Sequence, residues 1–317
     1  MKIIFLGTPE FAVPSLDILF ENGYEIVGVI TVADKPSGRG QKLHESEVKQ
    51  YAVKHGIKVF QPLKLSDPNF LSEIKSLNAD LQIVVAFRMM PIALWSMPKL
   101  GTLNLHGSLL PNYRGAAPIN RALMNGERIT GVTTFFLKHE IDTGNIIFQE
   151  EIFINDDETA GELHDRMKDI GASLVLKTVK AIESNNVHAF EQDILIKQKG
   201  ELKLAPKIFK EDCKLDFSKN ISYLHNQIRG LSPYPGAFFE IKLSDGTIQS
   251  IKIFRSLKES AGTVLTHELI TDGKTFIKIS ASDGFISIKE IQVSGKKRMS
   301  VEELLRGYSF PDNSVIL

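Results

Sequence analysis

The residues with the clearest chemical potential are Asn104 and His106, which lie two positions apart in an apolar run. On an extended strand this spacing places both side chains on one face, whereas Leu103 and Leu105 face the opposite side. The Gly107-Ser108 pair and the turn-forming residues that follow it end the strand. The pattern predicts a carboxamide and an imidazole side by side at the mouth of a buried strand.

A third polar group, Asp142, follows a later apolar run in an Asp-Thr-Gly turn. A carboxylate next to an imidazole orients it and favours its protonated form. No nucleophile accompanies these groups, since Cys213 lies in a distant segment and Ser108 has no supporting pattern. The set suits acyl transfer in which the amine of the substrate attacks. Asn104 would stabilise the oxyanion, and His106 with Asp142 would move protons.

Two other interpretations of these residues remain open. A single histidine at a strand end is more often a structural residue. Alternatively, His106, His139 and Asp142 are metal ligands, although the sequence has neither an HExxH motif nor paired cysteines. We expect no metal, and we expect His139 to lie on a solvated turn.

The amino-acid composition is typical of a globular protein. The chain has 317 residues, 38 basic and 38 acidic side chains, and one cysteine. This length predicts two domains, and a single cysteine indicates a reducing compartment. No apolar run approaches the ~18 residues of a membrane span. We therefore expect a cytoplasmic protein without a membrane partner, and the zero net charge gives no general signal for nucleic acid.

The first half of the chain alternates strand and helix patterns, which predicts an α/β fold with a doubly wound parallel sheet. Lys2 to Leu6 reads as the first strand, and Leu81 to Phe87 is the most apolar one. The first turn has one glycine, Gly7, where a dinucleotide fingerprint needs three, so a nicotinamide cofactor is not expected. The segments 86–92 and 104–111 follow two strand ends and should meet in one crevice.

Further along, the pattern predicts a catalytic domain over 1–184, a linker over 185–208 and a small β-barrel over 209–317. Segment 33–43 is rich in glycine and basic residues, among them Lys35, Arg39 and Lys42. It is either a solvated connection, which its composition favours, or an arm that contacts phosphates.

The stretch from Asn104 to Ile119, together with Asp142 to Gly144, resembles the formyltransferase family that uses 10-formyltetrahydrofolate. The resemblance extends over nearly the whole chain, through the matching stretches 5–11, 34–40, 233–236 and 295–298. It implies a Rossmann-like catalytic domain followed by an OB-like C-terminal barrel that helps to hold tRNA. The segment Ala86 to Pro91 departs from the family, in which a glycine-containing stretch is more usual.

The resemblance also implies roles for individual residues. The catalytic residues would be Asn104, His106 and Asp142. The folate site would include Ser108, Leu109, Leu110, Pro111, Phe87, Arg88 and Met89. The tRNA contacts would include Arg39, Lys42, Lys296, Lys297 and Arg298, which reverses the compositional interpretation of segment 33–43.

The resemblance implies an enzyme that transfers the formyl group to the methionine α-amine of initiator methionyl-tRNA, in support of translation initiation. We expect this enzyme to be a monomer. One alternative is a formyltransferase that acts on a small molecule, either glycinamide ribonucleotide or an amino sugar. Another is a non-catalytic protein that binds nucleic acid through the barrel.

Overall fold

The computed structural model describes residues 1–37, 42–199, 201–262, 267–311 and 314–317. The chain forms two compact units. Unit 1 comprises 1–115, 130–152 and 164–204, and unit 2 comprises 116–129, 153–163 and 205–317. The two units therefore interleave along the chain, whereas the predicted boundaries at 184 and 208 divide it in sequence order.

The regular elements are as follows. The strands are β1 Lys2–Gly7, β2 Glu25–Ile30, β3 Lys35–Ser37, β4 Lys42–His44, β5 Val59–Phe60, β6 Leu81–Val85, β7 Thr102–His106, β8 Arg114–Gly115, β9 Ile129–Phe136, β10 Ile146–Phe153, β11 Leu204–Ala205, β12 Ala237–Lys242, β13 Ile248–Ser260, β14 Leu269–Thr271, β15 Ile277–Ala281, β16 Gly284–Val293, β17 Met299–Ser300 and β18 Val315–Ile316. The helices are α1 Val13–Glu21, α2 Glu47–Lys54, α3 Pro68–Ser76, α4 Ile92–Trp95, α5 Pro118–Met124, α6 Ala160–Glu183, α7 Gln192–Lys199, α8 Ile221–Gly230 and α9 Val301–Leu305.

The main sheet of unit 1 has the strand order β10-β9-β7-β6-β1-β2-β5. β1 runs parallel to both β2 and β6, and β6 runs parallel to β7, which pairs antiparallel with β9. β5 runs parallel to β2, so the five parallel strands follow the order 3-2-1-4-5, in which the winding reverses between β1 and β6. The predicted Rossmann-like doubly wound sheet is confirmed.

The central strands of this sheet are buried on both faces, as their continuous apolar runs predict. All five residues of β6 are buried, and Ile3 to Leu6 of β1 have at most 1% of their surface exposed. β6 ends at Val85, two residues earlier than predicted, because Ala86 adopts a left-handed φ of 48°. β7 extends to His106, so the imidazole lies on the last residue of a strand.

Unit 2 contains an antiparallel sheet in the order β14-β15-β16-β13-β12-β18, with β17 paired to β16. β13 is 13 residues long, and its register against β16 shifts around Arg255, which bends the strand as a barrel corner requires. The apolar core includes Phe217, Phe239 and Ile251, together with residues of α8. The predicted C-terminal barrel is confirmed as a nearly closed antiparallel barrel.

Two other features of the described part of the chain bear on the predictions. Segment 185–208, predicted to be a linker, contains α7 and belongs to unit 1 up to Leu204. No described helix is both long enough and apolar enough to cross a membrane.

Candidate active site

Asn104 and His106 lie toward the carboxyl end of β7, an inner strand of the main sheet of unit 1. Asn104 is paired with Val84 of β6 on one side and Phe135 of β9 on the other. Leu105 faces the opposite side, where its Cδ2 would lie 2.7 Å from a Cβ placed on Gly171 of α6. The close approach of this helix therefore fixes the face on which the two polar side chains project.

The Asn104 amide is available for a ligand. Its side chain is half-buried, and within the described residues its amide atoms have no hydrogen-bond partner. An amide in this state can donate N–H to an oxygen that enters the site.

His106 is 7% exposed and is held through its Nε2, which lies 2.8 Å from the carbonyl oxygen of Tyr113. A carbonyl oxygen only accepts, so Nε2 carries a hydrogen and donates it. The other ring nitrogen, Nδ1, lies 3.8 Å from Oδ2 of Asp142. Nδ1 is thus the ring nitrogen on the carboxylate side of the site.

Asp142 lies in the turn between β9 and β10 with a left-handed φ of 55°. Its Oδ2 accepts a hydrogen bond of 2.9 Å from the backbone N–H of Gly115. The turn itself depends on Gly144, because a Cβ at that position would lie 1.6 Å from the carbonyl oxygen of Phe136. In the Asp-Thr-Gly pattern, the glycine is therefore required because a side chain would not fit. The aspartate places a carboxylate near His106.

Sequence reasoning missed Gln192, the first residue of α7. Its Nε2 donates to the carbonyl oxygens of Asp142 and Gly144, both at 2.8 Å. Its Oε1 accepts from Arg114 Nε at 3.0 Å and Nη2 at 2.6 Å. The one signal in the sequence is the position of Arg114 inside the long motif, since nothing in segment 185–208 indicates its partner.

Residues 108–111, expected to contact folate, are mostly internal. The Ser108 hydroxyl donates to the carbonyl of Asn112 at 2.7 Å, and Leu110 is fully buried. The Leu110 N–H donates to Thr133 Oγ1 at 3.2 Å. Pro111 is also buried and follows a cis peptide bond, so of these four residues only Leu109 is half-exposed. Their side chains brace the end of β7.

The segment after β6 has a different character. Phe87 is half-buried against the core, and Met89 is 75% exposed. The Arg88 guanidinium donates to the carbonyl oxygens of Pro62 at 2.7 Å and Leu63 at 3.3 Å. This arginine ties the segment after β6 to the loop that precedes α3.

The basic residues expected to contact tRNA are placed unevenly. Arg39 lies outside the described residues, and Lys42 begins β4 with a side chain that is also outside them. Lys296 and Lys297 are exposed on unit 2. Arg298 pairs with Glu290 through a 2.9 Å bond from Nε to Oε2, and its guanidinium lies 4.5 Å from the ring of Phe254. Its charge is therefore already partly neutralised by the protein.

Together these groups are of the types that acid–base chemistry at a carbonyl-like centre requires. The Asn104 amide, which has no hydrogen-bond partner among the described residues, lies two residues from the His106 imidazole. The Asp142 carboxylate lies 3.8 Å from Nδ1 of that imidazole. Among the described residues, no three His, Cys, Asp or Glu side chains are grouped to hold a metal ion.

Comparison with protein-family models gives two matches. Residues 1–179 match the model described as formyl transferase, and residues 207–309 match that of the formyl transferase C-terminal domain.

Similar proteins are found among curated sequences. The methionyl-tRNA formyltransferase of Bacteroides fragilis is 48% identical over 309 residues, which cover 97% of this chain and 95% of that protein. The methionyl-tRNA formyltransferase of Flavobacterium johnsoniae is 51% identical over 317 residues, with 100% and 99% covered.

Solved structures extend the likeness to the fold. An N-formyltransferase from Helicobacter canadensis, in complex with folinic acid and dTDP-3-aminofucose, is 25% identical with a TM-score of 0.66 over 91% of this chain and 98% of its own. HypX from Aquifex aeolicus, in complex with tetrahydrofolic acid, shares the fold at 18% identity and a TM-score of 0.61, over 96% of this chain and 46% of its own.

Proposed function

Because this chain belongs to the formyl transferase family, we propose that it transfers the formyl group of 10-formyltetrahydrofolate to the methionine α-amine of initiator methionyl-tRNA. The observation that carries the proposal is the identity of 48–51%, over essentially full length, with methionyl-tRNA formyltransferases. The reaction belongs to translation initiation and so to the cytoplasm. The donor is of the folate type, and we propose that it is the 10-formyl form of tetrahydrofolate.

The proposed catalytic residues each have a defined task. The N–H of the Asn104 amide, which has no partner in the described chain, would donate to the formyl oxygen as negative charge develops there. His106 would take the proton that the attacking amine gives up and pass a proton to the folate nitrogen as the carbon–nitrogen bond to the formyl group breaks. Asp142, 3.8 Å from Nδ1, would stabilise the imidazolium that exists between these transfers.

The residues around the site fit a folate donor. The half-buried Phe87 offers an apolar wall, and the backbone at Ala86 lies in a left-handed conformation beside the reversal of the sheet, where ligands bind in such folds. We propose that Phe87, Arg88 and Met89 contribute mainly backbone atoms to this site. The other side of the folate site would be supported by the residues that follow β7, namely Ser108, Leu109, Leu110 and Pro111.

The tRNA contacts remain a proposal from the family resemblance. We propose that Arg39 and Lys42 contact the acceptor end of the tRNA, and that Lys296, Lys297 and Arg298 contact its backbone on unit 2. Lys296 and Lys297 suit this role because they are exposed.

The test is formyl transfer from 10-formyltetrahydrofolate with three acceptors in parallel: methionyl initiator tRNA, glycinamide ribonucleotide and dTDP-3-aminofucose. We expect transfer to the tRNA alone. Transfer to either small molecule and not to the tRNA would replace the proposed acceptor. Transfer to none would refute the assignment.

A further inference from the structure

Gln192 differs from its neighbours on α7 in being almost completely buried. It is 2% exposed, and its side-chain amide makes four hydrogen bonds. Two N–H groups and two lone pairs are all that a carboxamide offers, so the amide is saturated. Its orientation is also fixed, because the carbonyls of Asp142 and Gly144 only accept and Arg114 only donates.

The bonds of Gln192 lead to both proton-handling residues. Its N–H groups hold the turn that carries Asp142. Its oxygen holds the side chain of Arg114, and Arg114 lies between Tyr113 and Gly115. The Tyr113 carbonyl accepts from His106, and the Gly115 N–H donates to Asp142. Hydrogen bonds and the backbone at 114–115 thus form a closed loop through Gln192 and Asp142, and His106 is attached to this loop through the Tyr113 carbonyl.

We propose that Gln192 is a positioning residue, which sets the separation between Asp142 and the His106 imidazole by bonding to the backbone of the Asp142 turn. The inference rests on the proposed function for the reaction that it serves. Asp142 has a positive φ that a non-glycine residue adopts at a cost, so its turn relies on external bonds to stay in place. Gln192 supplies two of them from a helix 50 residues away.

Two substitutions separate the donors of Gln192 from its acceptor. Gln192→Met has a similar volume and removes all four hydrogen bonds. Gln192→Glu retains an acceptor for Arg114 but removes both N–H donors to the Asp142 turn. Ile194→Ala is the matched control, since Ile194 lies on the same helix with 54% of its surface exposed.

The full-length chain and each variant are assayed for kcat and KM on methionyl initiator tRNA. Hydrogen–deuterium exchange is followed over 113–115 and 140–144. We expect Gln192→Met and Gln192→Glu each to lower kcat about 10- to 100-fold, because a misplacement of about 1 Å among reacting groups can cost about 10²-fold. We expect KM to stay within twofold, exchange in both segments to accelerate, and Ile194→Ala to match the parent chain.

A wild-type kcat in Gln192→Glu would overturn the proposal, because it would assign the whole effect to the anchoring of Arg114. Unchanged exchange at 140–144 in both Gln192 variants would also overturn it. If the parent chain fails to formylate the tRNA, the proposed function falls, while the exchange comparison still decides whether Gln192 holds the turn.

Discussion

Replacing Asp142 by asparagine tests the proposed electrostatic role of the carboxylate. Asparagine keeps an oxygen that can accept from the Gly115 N–H, so the turn loses charge and little else. The carboxylate lies 3.8 Å from Nδ1 of His106. At an effective dielectric constant of about 20, a charge pair at this distance interacts by about 4 kcal/mol. If this energy stabilises an imidazolium in the transition state, its loss lowers kcat by up to ~10³-fold.

The assay is single-turnover formyl transfer to methionyl initiator tRNA with saturating 10-formyltetrahydrofolate. We expect Asp142→Asn to reduce the rate by about 10²- to 10³-fold, allowing for screening of the pair. Glu140→Gln removes the same charge two residues away from an exposed side chain and should retain the parent rate. A rate for Asp142→Asn within threefold of the parent, or an equal loss in Glu140→Gln, would refute the electrostatic role.

Substitutions at Asn104, on the basic surface of unit 2 and at a buried histidine test three further points. Asn104→Ala should lower kcat by about 10²- to 10³-fold with little change in KM, because it removes the proposed oxyanion donor; a loss below fivefold in steady-state assays would contradict that role. Lys297→Ala should reduce the slope of log K against log salt for tRNA binding by about 1, whereas Arg298→Ala should change it less because Glu290 already pairs with Arg298; equal slopes in a salt series would count against this distinction. Burial lowers the pKa of His225 in the folded protein. As the pH falls below the ordinary histidine pKa of about 6.5, the unfolded chain therefore binds a proton that the folded chain does not, and the folded protein loses stability. His225→Gln should flatten this loss in urea unfolding between pH 7.5 and 5.5, and the exposed His188→Gln should not; a parallel loss in all three proteins would refute the assignment.

The fold of unit 1 could be predicted because its strands carry their signal locally. β1 and β6 are largely apolar runs of the length of a buried parallel strand, and Gln82 is the one polar residue of β6. The alternation around Asn104 predicts which side chains share a face, and the structure places Leu105 on the other face against α6. These features depend on residues within a few positions of one another, so a single sequence suffices.

The supporting residues could not be predicted, because their roles come from partners far along the chain. Gln192 contacts Arg114 across 78 positions and Asp142 across 50. Ser108 lies in a motif that suggests ligand contact, yet its hydroxyl is used internally. Arg298 lies in a basic run, and its pairing with Glu290 depends on how β17 lies along β16. In each case the fold determines whether a polar group is free.

The segment after β6 departs in sequence from the family pattern, and its backbone is held in place by a side chain. Where a glycine-containing stretch is more usual, Ala86 takes up the left-handed conformation itself. The Arg88 guanidinium donates hydrogen bonds to the carbonyls of Pro62 and Leu63, and these bonds hold the segment in place. The Arg88 side chain thus anchors the segment that follows the left-handed Ala86.

Within the candidate site, hydrogen bonding distinguishes the proposed catalytic groups from the residues that support them. The Gln192 amide is saturated, and the Thr133 hydroxyl donates to Ser108 while accepting from Leu110. The Asn104 amide has no partner in the described chain, and Nδ1 of His106 faces Asp142 across 3.8 Å, beyond hydrogen-bond length. Saturated supports keep a fixed geometry, and unsatisfied groups retain binding capacity for the reacting atoms. The proposed catalysis therefore requires rigid supports. Substitution of Asn104 should lower kcat by removing a donor, and substitution of Gln192 should lower it by loosening the Asp142 turn.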